Sequence, residues 1–588
     1  MNRIKNSVIN FFGMFVVVSA LVLMPIPTSH GQFYSMSQRK DQQSQTLLRD
    51  ALAQNVSESR VEEALFKQQD GDEEGINPCD HQPLGNAFGR SRRCPPRGSS
   101  AGVAKGDFNG DGFADLAVGV PLEDVGRAKD AGAVNVIYGS VNGLTSAGNQ
   151  FFTENGLGGL NLPTFANHFG AALASGDFNG DRYSDLAIGI PDEDLQTPTG
   201  TISDVGAVLV LYGSERGLTD INAQGFRGVI AAGHLGQALA WGDFNADSIG
   251  DLAIGTPGRD IGSALGAGSV TVFYGSATGL SSASGQFWAQ HVSDGNGTIL
   301  DFAETGDNFG ASLTAGDFNG DGASDLAVGV LSEDETGFAD AGAVNIIYGR
   351  AGSGLTTLGN QILRDTILPI AVGDNFGRAL TAGDFNGDRF DDLAVGIPLR
   401  DIGTATDAGA VVVEYGTSNG LAESGVQVWT QDSPGVVDGA ETGDQFGLAL
   451  AAGDLNGDGR KDLAIGAPFE DFPITGTLQR VDAGIVHVFY GASGGLTANL
   501  SQQFNTGVGG ERFGSALTAW DFGNGPQADL AVGVPSWNVG SIAGAGAVNV
   551  FYGTADGVTF TGHQVWTQDS TNILDVAESG DQFGSALY

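Results

Sequence analysis

The stretch GDFNGDGFADLAVG, residues 106–119, packs Asp107, Asn109, Asp111 and Asp115 into nine positions and runs straight into an apolar segment. Oxygen-bearing side chains at alternate positions of a tight loop can converge on one point, and the small and β-branched residues that follow read as a strand. The loop shares the first half of an EF-hand. Val118, however, stands at its twelfth position, where that motif requires Glu, and no helix follows. The stretch therefore predicts a cation loop that opens a strand.

Nearly the same words recur six more times. The first acid falls at Asp107, Asp177, Asp243, Asp317, Asp384, Asp454 and Asp521, at spacings of 70, 66, 74, 67, 70 and 67 residues. A repeat this long is a supersecondary unit. Each unit reads as four short strands punctuated by Gly and Pro, with no helical period: a segment like DNFGASLTAGDF, the acidic loop, DLAVGVP, AGAVNIIYG, and a run such as GVQVWTQD. The expected fold is all-β, a seven-bladed β-propeller of four-stranded antiparallel blades, since a calcium-binding parallel roll would repeat in nonapeptides. The blades are expected at about 99–166, 167–233, 234–306, 307–373, 374–443, 444–510 and 511–580. Residues 581–588 copy the opening strand of a unit. They either complete the first blade, whose own start lacks Phe-Gly, or mark a longer chain cut short.

In the first loop the expected ligands are Asp107, Asn109, Asp111, the carbonyl of Phe113, and Asp115. The second offers Asp177, Asn179, Asp181, Tyr183 and Asp185, and the third Asp243, Asn245, Asp247, Ile249 and Asp251. The fourth offers Asp317, Asn319, Asp321, Ala323 and Asp325, the fifth Asp384, Asn386, Asp388, Phe390 and Asp392, and the sixth Asp454, Asn456, Asp458, Arg460 and Asp462. Hard oxygens in this number suit Ca2+ better than Mg2+, which prefers fewer protein ligands. The seventh copy, DFGNGPQAD, keeps only Asp521 and Asp529, so about six Ca2+ sites are expected. Gly112, Gly322 and Gly459 ease the turn at position six, which favours the first, fourth and sixth loops. The competing reading is a set of Asx-turns that merely cap hairpins.

A formal charge of −42, from 27 basic and 69 acidic residues, excludes nucleic acid as a partner and favours cations. With 41% hydrophobic and only 16% charged residues the chain is no disordered acidic tail. Residues 1–31 read as a signal peptide: Arg3 and Lys5 precede an apolar stretch over residues 8–24, and Ser29-His30-Gly31 offers a small-residue cleavage site. A retained anchor is the rival reading. No later segment is apolar for long enough to span a bilayer, so the mature chain is expected without a stable membrane span, secreted or at the cell surface. Residues 32–98 read as a linker or tether with one helix-like patch over residues 47–65, and Cys79 and Cys94 can close a disulfide there.

Units with Phe-Gly (Phe309 and Gly310), an acidic loop, and VGVP or IGAP (Ala467 and Pro468) resemble FG-GAP repeats, which build the N-terminal propeller of integrin α subunits and occur in many secreted bacterial proteins. The resemblance covers about residues 99–588. It implies a seven-bladed propeller with calcium between first and second strands, and ligand binding on the opposite face. The integrin leg domains, transmembrane helix and cytoplasmic tail have no counterpart, so any heterodimer partner stays unknown. Glu123, Asp124, Glu193, Asp194, Glu470 and Asp471, in the variable stretches of that opposite face, either contact a partner or cap turns.

Enzyme signals dissolve on inspection. GTSNG and GASGG match a nucleophile elbow, yet Ser418 and Ser493 sit in a turn that elsewhere carries Val141, Glu215 or Ala277, with no helix after it. The histidines show neither zinc nor triad spacing. The expected function is a secreted, calcium-binding module for adhesion to an extracellular protein or glycan ligand, without catalytic residues. The alternatives are a hydrolase or its accessory domain, by analogy with the glycosylphosphatidylinositol-specific phospholipase, and a structural envelope protein; residues 32–98 are too short for that phospholipase's catalytic domain.

Overall fold

The second strand of every repeat is buried along its whole length and, after a leading Asp in most copies, carries no charge, as in Leu116–Val120, Asp185–Ile190 and Asp392–Ile397. Such strands need cover on both faces, which only neighbouring sheets can supply. The computed structural model describes residues 106–588 apart from 155–156, 161–163, 336, 366–370 and 474–478. The expected signal peptide, tether helix and Cys79–Cys94 bridge fall outside the described residues.

Seven four-stranded antiparallel sheets form the blades, so the all-β propeller expectation holds. Blade 5 is typical: an inner strand Ala379–Gly383, then Asp392–Ile397, Ala410–Thr417 and an outer strand Gly420–Trp429. Blades 2 and 6 carry an extra two-stranded ribbon in the loop between second and third strands. The inner strand of blade 1 is Ala586–Leu587, which pairs antiparallel with Leu116–Val120; Ala117 and Tyr588 exchange both backbone hydrogen bonds. That seam gives blade 1 its fourth strand. Because strands alternate in direction, the acidic loops and the turns between third and fourth strands share one face. The second-to-third-strand loops and the inter-blade linkers share the other. Among the described residues no helix is long and apolar enough to cross a membrane.

The core lies between blades. Phe169, Phe309, Phe446, Phe513 and Phe583 of the Phe-Gly pairs are fully buried. The glycine after each phenylalanine turns the chain into its inner strand: Gly170 has φ of +89° and donates its N–H to Gly189 at 3.0 Å. A Cβ on Gly189 would meet the Gly236 carbonyl at 2.1 Å, so the glycine before Pro191 admits the backbone of the next blade.

A second device clamps blade to blade. The Tyr348 hydroxyl donates to Gln361 Oε1 within blade 4. Leu421 of blade 5 then donates its N–H to Tyr348 (3.2 Å) and to Gln361 Oε1 (3.1 Å), while Gln361 Nε2 donates to the Leu421 carbonyl at 3.0 Å. Equivalent tyrosines contact the following blade at all seven junctions, ending with Tyr552 on Leu144.

Candidate metal centres in the hairpin loops

Position one folds each loop onto its own backbone. Asp107 Oδ1 accepts from the Asp111 N–H at 3.1 Å and Oδ2 from Gly112 at 2.9 Å; Asp111 Oδ1 accepts from Phe113 at 3.0 Å. Asn109 Oδ1 accepts from the Asp111 amide at 2.9 Å. Position-one acids do the same at Asp177, Asp243, Asp317, Asp384 and Asp454. Such bonds are how short polar side chains stabilise turns. They leave position six left-handed in all six loops, including Arg182 (+79°), Ser248 (+72°) and Arg389 (+79°). A side chain in that region costs about 1 kcal/mol that glycine avoids.

Position nine has a separate task. Asp115 Oδ2 accepts from the Phe108 N–H at 2.8 Å and Oδ1 from Gly139 at 2.9 Å, tying the loop to the end of the third strand. Asp185, Asp251, Asp325, Asp392 and Asp462 repeat both bonds. So does Asp529 of the seventh loop, toward Phe522 and Gly553, although that loop has glycine at positions three and five. The fold therefore needs this acid whether or not a cation binds. Its persistence in the seventh copy was the signal available in the sequence.

The loops are also linked in a ring. The position-eight N–H of each donates to the position-one carbonyl of the loop before it: Ser184 to Asp107 (2.9 Å), Gly250 to Asp177 (2.7 Å), Ser324 to Asp243 (2.8 Å), Asp391 to Asp317 (3.0 Å), Lys461 to Asp384 (2.9 Å) and Ala528 to Asp454 (2.9 Å). Position-seven side chains pack on the previous loop as well. The rings of Tyr183 and Phe390 lie where a Cβ on Gly110 or Gly320 would fall.

Negative charge is concentrated in the loops. Burial pushes Asp115 up to about 8, and the charges of Asp107 and Asp111 add to it. Asp185, Asp251 and Asp325 reach about 8 for the same reasons, and Asp392 and Asp462 about 7. Asn245 Oδ1, at position three of the third loop, is buried without a hydrogen-bond partner. Mutually repelling carboxylates and an orphaned carbonyl oxygen form a donor set that fits a hard cation. Among the described residues no three His, Cys, Asp or Glu side chains are already gathered around a common point, because the carboxylates are turned onto amides. In the sixth loop Asp458 also pairs with Arg460 at 3.3 Å, an internal competitor for any ion.

The FG-GAP repeat family matches residues 100–137, 169–211, 235–273, 309–346, 376–413 and 446–489. This chain carries FG-GAP repeats. The matched FG-GAP segments fall in the first six blades, and the blade with the altered loop lies beyond them. Integrin alpha-PS5 of Drosophila melanogaster is 36% identical over 167 residues, 28% of this chain and 15% of that protein. Phosphatidylinositol-glycan-specific phospholipase D of Mus musculus is 34% identical over 240 residues, 39% of this chain and 27% of that protein. The match thus spans less than a third of either relative's length. A periplasmic gluconolactonase of Pseudomonas aeruginosa aligns over 81% of this chain and 98% of its own, at 15% identity and a TM-score of 0.39.

On the opposite face the FG-GAP blades use their acids structurally. Glu123, Glu193 and Glu470 are at most 4% exposed. Asp124, Asp194 and Asp471 cap turns by accepting from Asp130, Asp204 and Asp482 at 2.8–3.0 Å. Sequence spacing also concealed a meeting of histidines. His168 and His234, from successive linkers, both hydrogen-bond Asp192 through Nδ1, at 2.5 and 2.8 Å.

Proposed function

We propose that this chain is a calcium-stabilised propeller that binds an extracellular protein or glycan through the face opposite its acidic loops. The distribution of exposed apolar side chains carries this reading. Of nineteen large hydrophobic residues exposed among the described residues, twelve lie in the second-to-third-strand loops and the linkers. Phe165, Val229, Leu265, Phe302, Val437 and Val576 are among them, each between 59% and 71% exposed. The acidic-loop face contributes Val141. Apolar side chains gathered on the loop face of a rigid frame are a recognition surface in the making.

Calcium belongs to the frame. Positions one, three, five and nine of the first six loops, with the position-seven carbonyl, are the oxygens that would hold it. A bound ion supplies the positive charge that cancels their repulsion. At a dissociation constant of about 10⁻⁴ M and about 1 mM free calcium, each site adds roughly 1.4 kcal/mol.

One observation favours a hydrolase instead: Glu123 and Glu470 are pushed up to about 9 and Glu333 to about 8, chiefly by burial, as proton-transfer acids often are. They are wedged between blades, however. The central cavity of about 240 Å3 is lined by Leu, Ala, Thr and Trp side chains and by Tyr588. The deciding experiment presents calcium-loaded protein to arrays of extracellular proteins and glycans, beside Phe302→Asp and Val437→Asp variants. Capture reduced about tenfold at unchanged melting temperature supports the reading, and capture indifferent to both variants sinks it.

A further inference from the structure

The linkers entering blades 1, 4 and 6 repeat one arrangement on the face opposite the hairpin loops. A buried Glu from the second-to-third-strand loop meets a Gln just past the preceding blade's outer strand and two Asp of the linker. At blade 6, Glu470 Oε2 accepts from Gln431 Nε2 at 2.6 Å, its carboxyl hydrogen-bonds Asp438, and Asp444 faces it. At blade 1 the members are Glu123, Gln568 (2.7 Å), Asp575 and Asp581. At blade 4 they are Glu333, Gln290 (2.5 Å), Asp301 and Asp307. Each Gln is 1% exposed, and in all three the Oε1 atom has no hydrogen-bond partner.

Neighbouring junctions answer the same acidic problem with a protein cation. At blade 5, Arg400 stands where blade 6 has Glu470 and pairs with Asp365 and, at 3.3 Å, with Asp374. In blade 2, Arg227 at the end of the outer strand pairs with Glu193 at 3.1 Å. In blade 4 the equivalent Arg364 reaches Asp301 and, at 3.9 Å, Glu333. Strand register places Thr153 and Asn505 at that position in blades 1 and 6. The charged groups that chiefly act on Glu123 and Glu470 are acids, Asp575 and Asp581 at the first and Asp444 and Asp438 at the second. Buried carboxylates without a counter-charge are costly, and a proton on the Glu would still leave the Gln carbonyl unsatisfied.

We propose that the entrances to blades 1 and 6 each bind a hard divalent cation, Ca2+ above all, in addition to any ions in the hairpin loops. Three carboxylates and an amide carbonyl stand at each entrance; they are not gathered on one point as they lie, but side-chain rotation would bring together all-oxygen donors of the type Ca2+ prefers over softer metals. Asp438 is exposed and Asp575 half-buried, which gives the ion a path from solvent. At blade 4, Arg364 supplies the positive charge the carboxylates need, although the Gln290 carbonyl stays unpartnered there too.

The test counts bound calcium on the full chain by equilibrium dialysis. Glu123→Gln with Glu470→Gln should bind two fewer ions than wild type, whatever the hairpin loops contribute. A second variant, Gln431→Asp with Glu470→Arg, transplants the Asp365–Arg400 pair into blade 6. It should fold, bind one ion fewer, and melt no lower than wild type in chelator. A wild-type count of two that falls to none would retain this proposal while removing calcium from the hairpins. Equal counts in wild type and either folded variant would overturn it.

Discussion

The backbone N–H of Ala114 donates to the carbonyl of Asp521 at 2.8 Å, so the first hairpin loop hangs from the seventh. This bond closes a cycle in which every loop is held by the one before it, including the seventh, whose ligand positions three and five are glycine. A restraint on one loop is thereby passed to its neighbours through backbone that also borders the third strand.

Calcium should therefore stabilise the whole ring rather than single hairpins. Six independent sites would contribute on the order of 8 kcal/mol at about 1 mM calcium. Scanning calorimetry should show one transition that moves to lower temperature in chelator and returns when calcium is restored. A melting temperature that ignores chelator would remove calcium from the hairpins.

Loop positions should separate by role. Asp529→Asn weakens two buried bonds to backbone amides, at a cost of about 1–3 kcal/mol, equally with and without calcium. Asn109→Ala, in the exposed part of the first loop, should alter stability chiefly in the presence of calcium. Denaturant midpoints for both variants in each condition check this, and the reverse pattern would contradict it.

The tyrosine clamp should matter more through its amide than its hydroxyl. Gln361→Leu leaves the Leu421 N–H with one partner and its carbonyl with none, costing about 1–3 kcal/mol. Tyr348→Phe keeps both bonds between Gln361 and Leu421 and should cost about 1 kcal/mol. Urea unfolding of the two variants tests the order.

The histidine pair predicts a bounded pH window. Hydrogen bonds to Asp192 raise His168 and His234 above their ordinary 6.5, so their contribution is full below that value and is lost as pH rises through the raised pKa. Burial pushes Asp192 up, but its bonds to both imidazoles outweigh this and hold it well below 3.8; its contribution is present above 3.8 and lost as pH falls. The stability difference between wild type and Asp192→Asn should be greatest between those limits and shrink in alkali. Unfolding curves across that range would show it, and a difference flat with pH would refute the linkage.

The sequence alone determined the repeat, the strand count and the face that carries the acids, because hydrophobic period and glycine spacing are local properties that recur with every copy. It also marked Asp107 and its equivalents, since oxygen side chains at alternate positions are visible in nine letters. It could not divide labour within that motif. Asp115 serves Gly139, which lies on another strand, and Gln361 serves Leu421 on another blade. The histidines were unreadable for the same reason: His168 and His234 are 66 residues apart and meet only because two linkers pass the same Asp192. Partners at long range in the chain are chosen by the closing of the ring, which fixes neighbours that no local pattern encodes.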